Sequence, residues 1–301
     1  MPSSEPGIGY FVGVSPLTSS YLSDQDSLRV ATTTWNSDAE RPRGVVQISH
    51  GLAEHVARYG RFAEALTAAG FHVVGSDHRG HGRTIADVPG DFGEAGFEGL
   101  WRDVVQLGEG IRAEYPGLPV FLFGHSMGSF AGQHVLVERS DLYDGVILSG
   151  STAIDVIAAG MADAPAADLS VFNAAFEHRT GYEWLSRDDA EVDLYVADPL
   201  CGFDLPASTT PALFAGGAQL SDPAVLGRIR PDLPLLLASG SDDPLAGGGE
   251  LIELLASRYR EAGLTDVTVI VYPEARHEIL NETNRDEVTR DLLAWLEAHT
   301  G

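Results

Sequence analysis

Residues 120–139, VFLFGHSMGSFAGQHVLVER, constrain the fold more than any other stretch. Val120-Phe121-Leu122-Phe123 is an apolar run of strand character. Phe130, His134 and Val137 follow at helical intervals of four and three. Between them stands Gly124-His125-Ser126-Met127-Gly128, a G-x-S-x-G sequence. With a strand before it and a helix after it, that pattern is a nucleophile elbow, a sharp turn with a serine at its apex. Glycines two residues to either side leave room where a Cβ would clash. The turn is expected to project Ser126 Oγ at a helix N-terminus, whose free N–H groups favour developing negative charge.

The flanking sequence supplies the sheet such an elbow needs. Strands are expected over residues 28–35, 45–49, 71–74, 146–148, 233–238 and 267–272. Helices are expected over 58–69, 99–115, 250–261 and 285–299. This alternation predicts an α/β fold, a mostly parallel central sheet covered by helices on both faces. The rhythm breaks near Gly150. Residues 151–230 carry helical patches at 154–161, 169–178 and 189–196 and no good strand. The division expected is therefore a core of residues 1–150 and 231–301 with a helical cap inserted over 151–230. Residues 1–18 are rich in Pro, Ser and Gly and read as a loosely attached arm.

Charge narrows the partners. Asp and Glu number 44 against 19 arginines and no lysine, a net charge of −25. Such a chain repels phosphate backbones, so nucleic acid is not an expected partner. Anchoring on anionic lipid through a basic patch is disfavoured too, which leaves room only for transient contact with a lipid interface. No apolar run reaches the roughly 20 residues of a membrane span. The N-terminal MPSSEPGIGYFVGVSP has neither a basic start nor a long apolar run, so no signal peptide is expected. Cys201 is the one cysteine, which rules out an intrachain disulfide. A cytoplasmic protein is the default expectation.

A serine alcohol needs a base to take its proton, and the base needs an orienting partner. In an elbow fold these follow in the order Ser, Asp or Glu, His, each at the end of a strand. His277 closes the loop after the 267–272 strand and is the one histidine between His178 and His299. The loop after 233–238 offers both Asp242 and Asp243, and periodicity does not choose between them. Two backbone N–H donors are needed for an oxyanion. Met127 follows the nucleophile directly. Leu52 lies in the His50-Gly51-Leu52 loop after the 45–49 strand, where Gly51 permits a turn that points its N–H inward. His50, Glu54 and His55 are spaced H-x-x-x-E-H, which meets neither helical zinc motif, so no metal is expected there. Glu54 and Arg58 are four apart and suit a structural ion pair. His78 and His81 read as turn-stabilising, and His125 as packing beside the elbow.

Together, His50-Gly-Leu-Ala-Glu54-His55-x-x-Arg58-Tyr59, Asp77-His-Arg-Gly-His-Gly82, Gly124-His-Ser-Met-Gly128, Gly240-Ser-Asp-Asp243-Pro-Leu and Ala275-Arg-His277-Glu resemble the monoacylglycerol lipase and lysophospholipase-like branch of the α/β-hydrolases, a serine aminopeptidase-type hydrolase domain. The resemblance covers about 25–150 and 231–299. It implies Asp243 rather than Asp242 as the acid, supports Ser126, His277 and the N–H groups of Leu52 and Met127, and puts Glu54 and Arg58 near an alcohol-side pocket. Leu52 stands where this family often has a small residue, and would narrow that side. The implied activity is cofactor-free hydrolysis of monoacylglycerol or a similar single-chain ester through an acyl-enzyme. Lysophospholipase or general carboxylesterase activity, a proline-aminopeptidase-like peptidase and a non-enzymatic ligand receptor are the alternatives. Asp163, Asp168 and Glu177 are the cap carboxylates a peptidase could use.

Overall fold

The computed structural model describes residues 15–161 and 169–300. Asp163 and Asp168 lie outside the described residues. The chain runs β1 (Leu17–Leu22), β2 (Arg29–Trp35), β3 (Gly44–Ser49), α1 (Gly60–Ala68), β4 (Phe71–Ser76), α2 (Gly96–Glu114), β5 (Val120–His125), α3 (Met127–Arg139) and β6 (Gly145–Ser149). It then leaves the sheet for α4 (Ile154–Met161), α5 (Asp189–Ala197), α6 (Thr209–Phe214) and α7 (Pro223–Leu226). It returns as β7 (Leu235–Gly240), α8 (Glu250–Glu261), β8 (Val267–Tyr272) and α9 (Arg285–Ala298).

The eight strands form one sheet in the order β1-β2-β4-β3-β5-β6-β7-β8. β1 and β2 run antiparallel at one edge, and β3 to β8 are parallel. Strands buried on both faces read as continuous apolar runs, and every residue of β3, β5, β6 and β7 is buried. Successive side chains alternate across the sheet. In β5, Val120 and Leu122 pack with Trp101, Phe130 and Tyr259 on one face, while Phe121 and Phe123 pack with Phe62 and Trp295 on the other.

This topology decides where a ligand goes. β4 lies on one side of β3 and β5 on the other, so the winding reverses between them. At such a switch point the loops at the carboxyl ends of the strands diverge and leave a crevice. The loops after β3 and β5 carry Leu52 and Ser126 into it.

Two expectations are corrected. Leu17 and Thr18 belong to β1 rather than to a loose arm, pairing with Thr34 and Thr33. The helix expected over 169–178 is only a 3-10 turn, Leu169–Asn173. The buried Glu183 side chain accepts from Asn173 Nδ2 (2.8 Å), Thr180 N (2.6 Å) and Gly181 N (3.1 Å), which bends the segment into a loop. Local helical preference is weak enough for such contacts to override it.

Candidate active site

Ser126 sits between β5 and α3 with φ 51° and ψ −121°, a conformation L-residues rarely adopt. The glycines around it are required by contact. A Cβ on Gly124 would lie 2.6 Å from Gly128 O, and one on Gly128 would lie 2.0 Å from Ser49 O. Met127 opens α3, so its N–H has no intrahelical acceptor.

The facing loop is built differently from expectation. The positive φ falls on Ala53 (54°), not on Gly51. Gly51 is needed because a Cβ there would meet Glu54 Oε1 at 2.7 Å and Ser126 Cβ at 3.2 Å. Gly51 N–H donates to Glu54 Oε1, and Ala53 N–H donates to His81 Nε2 (3.1 Å). The flanking donors are thus taken, while Leu52 N–H between them has no acceptor among the described residues. Buried histidines hold the loop from beneath. His50 Nε2 accepts from His78 N–H (2.9 Å), and His50 Nδ1 donates to Gly51 O (2.8 Å). Burial, then the neighbouring His50, lowers the His81 pKa to about 3, which keeps its acceptor nitrogen unprotonated.

His277 and Asp243 meet after β8 and β7. Nδ1 of His277 lies 2.9 Å from Asp243 Oδ2, and both residues are 2 % exposed. Asp243 Oδ1 accepts from Leu245 N–H at 2.9 Å, which fixes the carboxylate. Asp242 is exposed; its backbone N–H donates to Ala275 O (2.9 Å), and among the described residues its side chain bonds only to Ser241 within its own turn. His277 Nε2 is buried without a protein partner among the described residues. Burial pulls the imidazole pKa down. The charge and hydrogen bond of Asp243, with Glu278 and Glu54 behind them, outweigh burial and raise it above the ordinary value.

Two further groups flank this ring that sequence reasoning did not single out for it. His125 and Trp184 each place a ring centroid 4.8 Å from that of His277. Burial, then His277, lowers the His125 pKa to about 4. His277 N–H donates to Trp184 O (3.3 Å) and Glu278 N–H to Leu185 O (2.8 Å). The segment after α4 is therefore tied directly to the histidine loop. G-x-S-x-G flags position 125 only as a neighbour, and nothing in the local sequence links Trp184 to residue 277.

Ser126 and His277 line one cavity of about 680 Å³, mouth included. Its apolar wall includes Leu52, Phe130, Phe172, Leu185, Leu213 and Phe214. Glu54, His125 and Glu278 form a polar end, shared with a neighbouring cavity of about 360 Å³ lined also by Arg58, Tyr59 and Asn281. Arg58 does not reach the main cavity. It bridges Glu54 (2.7 Å) and Glu278 (2.6 and 2.8 Å), and Tyr59 Oη donates to Glu54 (2.7 Å). Burial opposes ionisation of Glu54, but Arg58, His125, His50 and Tyr59 together lower its pKa to about 2. The ion pair foreseen from the spacing is present, with Glu278 as a third member.

A family model described as serine aminopeptidase, S33, matches residues 40–284. The chain belongs to this family of α/β-hydrolases. The hydrolase is 30% identical over 291 residues to a monoacylglycerol lipase of Mycolicibacterium smegmatis, covering 90% of this chain and 94% of that protein. It is 30% identical over 278 residues to human monoglyceride lipase, covering 86% and 84%. Its fold matches a thermostable carboxyl esterase from Bacillus coagulans, solved in complex with glycerol, with a TM-score of 0.83 and 27% identity over 97% of this chain and 100% of that one. The protein is an ester hydrolase of the lipase and esterase type that acts on a small-molecule ester. Among the described residues no helix is long and apolar enough to cross a membrane.

Proposed function

We propose that this hydrolase cleaves monoacylglycerol or a similar single-chain ester through an acyl-enzyme at Ser126. The observation that carries the reading is the Asp243–His277 pair facing the same apolar cavity as the strained Ser126. Ser126 Oγ attacks the ester carbonyl carbon while its proton passes to His277 Nε2. The imidazolium is held by Asp243, and the oxyanion accepts from Leu52 and Met127 N–H. Collapse expels the alcohol, which takes the proton from Nε2. Water then gives a proton to the same nitrogen and attacks the acyl carbon; collapse breaks the acyl–Oγ bond, Nε2 returns the proton to Ser126 Oγ, and the carboxylic acid leaves.

The acyl chain lies along the Phe172, Leu213 and Phe214 side, beneath a cap formed by residues 151–230. The alcohol lies at the polar end with Glu54. Arg58 acts through Glu54, keeping it ionised and seated on Gly51 N–H. No cofactor takes part. A single cysteine without a disulfide suits a reducing compartment, and we place the enzyme in the cytoplasm. The test is a hydrolysis panel of monoacylglycerols, lysophospholipids, p-nitrophenyl esters and aminoacyl anilides, with Ser126→Ala as control. Monoacylglycerol is expected to be turned over fastest. Turnover of anilides without esters would overturn the reading.

A further inference from the structure

His55, Asp198 and Cys201 are brought together where α5 ends against the loop after β3. They come from two segments more than 140 residues apart, and the family match assigns them nothing. One ring nitrogen of His55, a carboxylate oxygen of Asp198 and Cys201 Sγ all lie within 4.8 Å of one another. His55 Nε2 is already 2.9 Å from Asp198 Oδ2. The Asp198 and Cys201 ends are set by one tight turn, in which Cys201 N–H donates to Asp198 O (3.0 Å) and Leu200 N–H to Asp198 Oδ1 (2.9 Å). That leaves Oδ2 and the thiol on the side of His55. Cys201 is 8% exposed, and the His55 and Asp198 side chains are 12% and 11% exposed. The cluster is thus nearly closed, with a small part of each side chain still exposed to solvent.

We propose that these three side chains form a site for Zn²⁺ that clamps the segment after α5 onto the loop carrying Glu54. One imidazole, one carboxylate and one thiolate suit borderline-soft Zn²⁺ better than the hard Mg²⁺ or Ca²⁺. A tetrahedral ion with bonds of about 2.2 Å needs ligand atoms about 3.6 Å apart, which small side-chain rotations reach from the present spacing. The fourth position is left for water. Binding breaks the Cys201 S–H bond, forms a Zn–S bond and releases the proton to solvent, while His55 binds through an imidazole lone pair and Asp198 through its carboxylate.

The local charge favours a cation despite the nearby arginine. The charges that act most strongly on Cys201 are the guanidinium of Arg58 and the carboxylates of Asp198, Glu54 and Glu278. That guanidinium is already paired with two of the three. Burial raises the thiol pKa, Arg58 works against that rise, and Asp198, Glu54 and Glu278 add to it; a bound divalent ion favours the thiolate instead. The zinc motifs absent from the sequence concern His50, Glu54 and His55 taken together. The fold separates them: the two His50 nitrogens are taken by the backbone of Gly51 and of His78, and His55 is turned to a different set of partners.

The test uses the full chain stripped with a chelator, then titrated with ZnCl₂ or CoCl₂. Cys201 is the only cysteine, so thiol chemistry reports on this site alone. One equivalent of Zn²⁺ is expected to bind, to raise Tm and to slow alkylation of Cys201. Co²⁺ is expected to show a thiolate-to-cobalt absorption band with tetrahedral visible absorption. Cys201→Ser should lose the band, and His55→Gln should weaken binding and lose the Tm shift. Wild-type protein without a cobalt–thiolate band and with unslowed alkylation overturns the proposal, and this outcome does not depend on either variant folding. Undiminished one-equivalent binding in both variants overturns it as well.

Discussion

The indole of Trp184 packs against His277 at 4.8 Å between ring centroids, and its backbone carbonyl accepts the His277 N–H at 3.3 Å. A residue from the excursion between β6 and β7 thus sets both the backbone and the ring plane of the proposed base. Misplacing a catalytic group by about 1 Å costs on the order of 100-fold in rate. Trp184→Leu is therefore expected to lower kcat by about 10- to 100-fold with little change in KM, while Trp184→Phe, which keeps a ring against His277, retains most activity. Steady-state kinetics on variants checked by circular dichroism decide it. A Trp184→Leu enzyme with wild-type kcat removes Trp184 from the site.

Asp243, not Asp242, touches the imidazole. Asp243→Asn is expected to reduce kcat by about 10³- to 10⁴-fold, because the amide favours the wrong tautomer. Asp242→Asn should stay near wild type, since that side chain is exposed and among the described residues bonds only to Ser241. Ser126→Ala should abolish labelling by a fluorophosphonate probe. A larger loss from Asp242→Asn than from Asp243→Asn would contradict the arrangement.

The raised pKa of His277 has a definite sign. The base works when neutral, so kcat/KM should fall as pH drops through a midpoint above the ordinary histidine value of about 6.5. Removing the negative charge in Asp243→Asn should move that midpoint down. The full profile of both enzymes, measured where circular dichroism shows the fold intact, tests this. A wild-type profile flat to below pH 5 is incompatible with His277 as base.

Cavity shape predicts substrate size. Each buried methylene contributes up to about 0.8 kcal/mol, or about fourfold in kcat/KM. Rates on monoacylglycerols should climb with chain length and then level off as the space beside Phe172, Leu213 and Phe214 fills. Triacylglycerol at matched ester concentration should be slower, because three splayed chains do not enter one pocket. Faster turnover of emulsified triacylglycerol would refute a closed pocket.

Arg58 sits between two buried carboxylates, Glu54 and Glu278. Removing one partner of a buried ion pair costs about 3–5 kcal/mol because charge is left unpaired. Arg58→Met should lower the denaturation midpoint correspondingly, and should lower kcat as well because Glu54 also holds the Gly51 N–H. Urea unfolding with unchanged m-value separates the stability effect. A midpoint within 0.5 kcal/mol of wild type would show that the pair is not essential to the fold.

The amino-acid sequence on its own determined what is decided within a few residues. The elbow around Ser126 follows from two glycines between a strand pattern and a helix pattern. The buried strands follow from unbroken apolar runs, and α8 and β8 occupy the residues their periodicity predicts. Only the tertiary structure decided what depends on contacts between distant segments. Periodicity did not separate the adjacent Asp242 and Asp243; the family resemblance pointed to Asp243, and the geometry of their loop against residue 277 supplies the reason, burying one and leaving the other in solvent. Glu183 turns an expected helix into a loop through contacts with residues 173–181. β1 forms because β2 offers it a partner, not because its own residues demand a strand. His55 gains Asp198 and Cys201, and His277 gains Trp184, across gaps of roughly 90 to 150 residues. Local pattern encodes backbone conformation because sterics and periodicity act within a turn or a strand. Which side chains meet across such gaps is set by how sheet, helices and insertion pack together, and no short-range signal carries that.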